Sequence, residues 1–199
     1  MSDLLTDALP TVWHGQKIDP DFRHMVWLSS AYSHGEVEAD PVAFAMQLCG
    51  QFYTERFSPS DLQEKYSWLI EFYRAGEQAA EPTVNTAASG PDKGPAFDYR
   101  CDAPYIVAAF QQTYGIDLTR EKLHWFRFRA LFAALPEDTL MAKIMSWRTM
   151  DLDDYDGKMR EHYADLKERF ALPAALRGGA AVAQTVAEHD AAFLARFRR

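Results

Sequence analysis

Apolar residues recur at three- and four-residue intervals along most of this chain, the spacing of helices that bury one face. The pattern is densest from Phe97 to Leu152. Within it, Thr119 to Leu135 contains no glycine or internal proline, opens on a residue able to cap a helix and is stopped by Pro136. That combination predicts one helix over the whole stretch. On a helical wheel Trp125, Phe128, Phe132 and Leu135 form one apolar stripe, and Leu123, Phe126, Ala130 and Ala134 form a second. Between them run two basic strips, Arg120 with Arg127 and Lys122 with Arg129. A helix apolar on two sides is expected at the centre of a domain, with neighbours on both.

Two helices are expected to flank it. Asp102 to Tyr114 begins with a capping aspartate and a first-turn proline and ends at Gly115, suited to a left-handed terminus. Its inner face would carry Ile106, Val107, Phe110 and Tyr114. Glu137 to Arg148 follows Pro136 with acidic residues suited to a helix start, and it supplies Leu140, Met141, Ile144, Met145 and Trp147. Three helices joined by short connections make a compact unit.

Upstream, Leu9 to Ile18 places Val12 and Trp13 before a His14-Gly15 corner, which predicts a short β-hairpin leaning on the helices. Asp19-Pro20 and Asp40-Pro41 are cap-plus-proline start signals for two helices, the first running to about Ser33 with Phe22, Met25, Val26 and Leu28 inward. The second carries Val42, Ala45, Met46, Cys49 and Phe52. Ser60 would cap a third helix from Asp61 to Ala75, ended by Gly76. Residues 77–95 are small, polar and rich in proline and glycine, which predicts a mobile exposed linker. Downstream, Asp154 to Phe170 has helical spacing, and the segment 174–199 ends in a basic RFRR with Val182, Val186, Phe193 and Phe197 at roughly helical intervals. The expected fold is mainly α: about six to seven helices, a short N-terminal β-hairpin and a helical or frayed C-terminal tail. Residues 1–173 form a single domain, and 174–199 a tail.

Charge narrows the partners. Twenty-one Lys and Arg against 29 Asp and Glu give a net charge of −8, which works against binding to phosphate backbones. Nucleic acid is therefore not an expected partner. Two cysteines without a CxxC pair, Cys49 and Cys101, fit a reducing cytoplasm and a role as small buried hydrophobes. No run approaches the roughly 20 apolar residues of a membrane span, and MSDLLTDALP does not read as an export signal.

Catalytic chemistry finds little support. In the acidic run Asp151 to Tyr163, aligning Gly157 with the glycine of a calcium loop puts Leu152 and Tyr163 where carboxylates are required. Glu121 and His124 form an E-x-x-H pair, half of a carboxylate-bridged di-iron motif, but no second copy exists. A core histidine bonded to a neighbour is the better reading. Nucleophile elbows and phosphate-binding glycine loops are absent. Neither a catalytic residue nor a cofactor or metal ligand is expected.

The blocks FDYRCDAPYIVAAFQQTYGIDL, LHWFRFRALFAALPEDT and IMSWRTMDL, in that order, resemble the bacteriophage "gene product fifteen" family. The likeness extends from about Ile18 to Leu172. Members are encoded beside the tail tape measure gene and are taken to be tail assembly chaperones, without catalytic residues. The resemblance implies a non-enzymatic protein of the bacterial host cytoplasm that binds the tape measure protein, with the major tail tube protein as a second candidate partner. A structural tail component and a metal-binding bundle enzyme are the alternatives. The candidate partner-binding residues are Trp125, Phe128, Arg129, Phe132, Phe193 and Phe197.

Overall fold

The structure, a computed structural model, describes residues 8–79 and 94–177. Strands β1 (Val12–Trp13) and β2 (Gln16–Lys17) pair antiparallel, with Trp13 opposite Gln16. His14 and Gly15 both adopt positive φ, 47° and 73°, the geometry of the tight turn whose twist matches a hairpin. The hairpin does lean on the helical body, with Trp13 edge-on to Phe72 at 5.4 Å.

Among the described residues the helices are α1 (Phe22–Ser33), α2 (Pro41–Phe52), α3 (Leu62–Ala79), α4 (Ala103–Tyr114), α5 (Trp125–Ala133), α6 (Leu140–Thr149), α7 (Gly157–Arg169) and the single turn α8 (Ala174–Arg177). The fold is thus mainly α with one small hairpin. Helix α5 packs between α1 and α3 and also touches α4, while α6 lies on α4 and carries α7 outside it. One continuous apolar core runs from Ile18 to Met141 and includes Met25, Leu28, Leu48, Phe52, Tyr66, Phe72, Phe110 and Phe128.

Several predicted boundaries move. The first helix is capped by Asp21, whose carboxylate accepts the Arg23 N–H, while Asp19 accepts the Asp21 N–H at 3.3 Å and is paired with Lys122 at 3.0 Å. Asp40 caps α2 as expected, accepting the Ala43 N–H, but Val42 is exposed and Phe44 and Leu48 join the buried face. Ser58 rather than Ser60 opens the turn before α3. Helix α6 starts at Leu140 rather than Glu137, with the buried Thr139 as its cap. Helix α4 keeps its predicted limits, with Gly115 left-handed at φ 68°.

Gly76 does not end α3, which continues to Ala79. A Cβ at this position would collide with the Trp125 indole, so the glycine allows α3 and α5 to approach closely. The central helix is shorter than Thr119 to Leu135: it begins at Trp125, and Thr119 is drawn into a turn where Asp117 accepts its N–H and hydroxyl at 2.9 and 2.6 Å. The chain from 121 to 124 then serves tertiary pairing. Phe22 N–H donates to Leu123 O and Trp125 N–H to Pro20 O, a bridge joining the starts of α1 and α5. The C-terminal half of the acidic run becomes α7, which starts at Gly157. Most of the predicted linker, and the tail beyond Arg177 with Phe193 and Phe197, lie outside the described residues.

Candidate functional site

The aromatic centre is built by the first two turns of α5. Trp125 is wholly enclosed, its indole N–H donating to Tyr73 O at 3.0 Å while its ring stacks on Tyr73 at 5.4 Å. Phe128, 1% exposed, is the hub of the stack, lying nearly parallel to Phe22 at 4.5 Å and Phe110 at 5.2 Å. Phe132, 4% exposed, continues the row at 6.0 Å and meets Phe97 edge-on at 4.9 Å. Such geometries add roughly 0.5–1.5 kcal/mol per pair beyond burial itself.

Arg129 sits among these rings at 8% exposure, its Nη1 donating to the Tyr99 hydroxyl at 2.9 Å and its guanidinium 5.6 Å from the Trp125 ring centre. Of the residues proposed for partner contact, Trp125, Phe128, Arg129 and Phe132 are therefore brought together, but inside the protein. Buried on one another, they offer no surface to a partner in this fold, and the expected basic strip containing Arg129 is a core contact. The second stripe also divides: Leu123 and Phe126 are buried, whereas Ala134 is exposed.

Glu121 and His124 do not share a helix face, because both precede α5. His124 is its N-cap. Its Nδ1 accepts the Phe126 N–H at 3.1 Å, and its Nε2 lies 3.0 Å from Pro10 O. A carbonyl can only accept and an amide N–H can only donate, so the ring is the neutral tautomer with its proton on Nε2. Burial accordingly lowers the His124 pKa, against a smaller opposing effect of the Pro10 carbonyl. Glu121 instead accepts the Asp117 N–H at 3.0 Å. The pair is structural, and the di-iron half-motif has no geometric basis.

A polar junction not recognised from the sequence holds α4, α6 and the chain after α7 together. Arg148 grips Asp102 with two bonds of 2.6 and 2.8 Å, both side chains being buried. The same guanidinium donates to Phe170 O at 2.6 Å and Ala96 O at 3.1 Å. Asp102 Oδ2 also accepts the Asp98 N–H. This engagement explains why Asp102, although correctly placed as the α4 N-cap, makes no side-chain capping bond. The only sequence signal was an arginine at the end of an apolar helix, and its partner 46 residues away leaves no periodic trace.

Cys49 is buried, and burial pushes its thiol up to about 12, as befits an inert packing residue. Cys101 is only half-buried, unlike the expectation for both.

Among the described residues, the candidate site is thus an aromatic centre enclosed within a helical body, with a buried polar junction beside it. Its family is set by comparison: the model for "Bacteriophage Gp15 protein" matches residues 2–172, and the chain belongs to that family. It is a phage protein. No curated protein and no solved structure matches it. No helix among the described residues is long and apolar enough to cross a membrane.

Proposed function

We propose that this phage protein is a non-enzymatic tail assembly chaperone that binds the tape measure protein in the host cytoplasm. The observation that carries this reading is membership of the Gp15 family over residues 2–172; the link to the tape measure protein is what the family resemblance implies. Physical chemistry supplies the task. A tape measure protein exposes long apolar helices before tube subunits polymerise around them, and covering such surface competes with aggregation. A strongly acidic chain, net charge −8, suits a carrier that must stay dispersed while holding an apolar client.

Enclosure of the four α5 residues moves the candidate contact away from the aromatic centre. Phe193 and Phe197 in the C-terminal segment remain from the original set, and 174–199 is the segment to delete first. Co-expression with the tape measure protein is expected to raise its soluble yield and give a complex that co-purifies. The complex should withstand salt better than a charge-only contact, because apolar burial is not screened. Equal solubility of the tape measure protein with and without this chain overturns the proposal. Recovery of the chain from purified particles by mass spectrometry would instead favour a retained structural component.

A further inference from the structure

Away from α5, the structure brings His34, Asp98 and Cys101 together, with one ring nitrogen, one carboxylate oxygen and one sulfur all within 4.8 Å of each other. They come from two segments far apart in the chain, 64 residues separating His34 from Asp98. His34 is the C-cap of α1, and Gly35, left-handed at φ 68°, turns the backbone away immediately after it. Asp98 and Cys101 belong to the turn entering α4. Asp98 is buried, and its Oδ1 accepts the Arg100 N–H at 3.0 Å and the Cys101 N–H at 2.8 Å, which fixes the carboxylate and holds Cys101 beside it. His34 Nε2 lies 3.3 Å from the same oxygen. All these bonds fall on one oxygen of the carboxylate. Arg100 reaches back to Glu36 at 2.5 and 3.2 Å, clamping the turn against the end of α1 from outside.

We propose that His34, Asp98 and Cys101 form a site for a thiophilic divalent cation, with Zn2+ as the preferred ion, that ties the C-terminal end of α1 to the turn before α4. Imidazole, carboxylate and thiolate are three of the ligand types Zn2+ takes, and a sulfur donor selects it over Mg2+ and Ca2+. A water would complete four-coordination. The backbone N–H groups on Asp98 supply the outer contacts that orient a ligating carboxylate. Half-burial of His34 and Cys101 leaves an approach from solvent. Binding replaces the Cys101 S–H bond with a metal–sulfur bond and releases that proton to solvent.

The test uses the purified full-length chain and Co2+, which reports thiolate ligation through a near-ultraviolet charge-transfer band. One equivalent of Co2+ should produce the band, and Zn2+ should abolish it by displacement. Cys101→Ser should eliminate the band, His34→Ala should weaken binding at least tenfold, and Cys49→Ala should leave both intact. A wild-type protein without the band overturns the proposal, as does a band that survives in Cys101→Ser. The wild-type spectrum decides the matter even if a variant fails to fold.

Discussion

Helices α5 and α7 show two ways of belonging to one fold. Five of the residues in α5 are buried, and its rings stack on three other helices. Helix α7 buries none of its side chains. Its C-terminal end carries the attachment: Trp147 stacks on Phe170 at 5.1 Å, Arg148 holds Phe170 O, and Lys167 donates to Met150 O at 2.8 Å. Both helices lie within the family match. The difference teaches that family likeness and thermodynamic contribution are separate properties. Elements with few apolar contacts open at free energies well below global unfolding, so α7 is expected to exchange its amides first and α5 last.

The contrast breaks most visibly at the hub. Phe128→Ala should destabilise the protein by about 3–5 kcal/mol, and Phe132→Ala by a similar amount, since each removes an enclosed aromatic. Denaturant melts showing losses below about 1 kcal/mol would mean that the centre is not packed as described. Arg148→Ala strikes the junction that ties the end of α7 to α4 and α6. Leaving Asp102 buried without its partner should cost about 3 kcal/mol, and hydrogen exchange should show α7 loosening before α5.

Gly76→Ala sharpens the comparison by sign. At an exposed helical site this change normally stabilises, by up to about 1 kcal/mol. Against the Trp125 ring it should instead destabilise by about 1–3 kcal/mol, measured by thermal or denaturant melts.

A smaller effect follows from His124. Its folded pKa lies below the ordinary 6.5, so the unfolded chain binds the proton more readily. The contribution is therefore complete above about pH 6.5 and declines as pH falls from there towards the folded value. Protonating Nδ1 also removes the acceptor for the Phe126 N–H. Stability measured across this window should fall with pH, and His124→Asn, which keeps a capping oxygen without this titration, should fall less. Smallest of all is Met159→Ala on α7, where a 52% exposed side chain should change stability by no more than about 0.5 kcal/mol.

What could be read in advance follows the range of the forces involved. Asp40-Pro41, Gly115 and the His14-Gly15 corner act within a few residues, and the structure keeps all three. The stripe Trp125, Phe128, Phe132 correctly marked the centre, since enclosure on two sides follows from periodicity. Helix α5 begins later than its periodicity predicts because the preceding residues bond to Asp117 locally and to Pro20 and Phe22 at long range. Gly76 reads as a terminus because a sequence shows a missing side chain without showing the indole that occupies its space. The Arg148–Asp102 junction and the His34, Asp98 and Cys101 cluster join distant segments, and no local pattern announces them.

The bridge between the starts of α1 and α5 also bears on vectorial synthesis. Arg23 Nη2 donates to Glu121 O, 98 residues downstream, beside the backbone bond from Phe22 to Leu123. At about 5–20 residues per second, a ribosome takes roughly 5–20 s to deliver that partner strand after α1 has been made. During that interval Phe22 lacks Phe128, and the N-terminal helices must wait with part of their apolar face uncovered. A protein proposed to shield another chain's helices thus begins its own life with the same exposure, ended in cis by its second half.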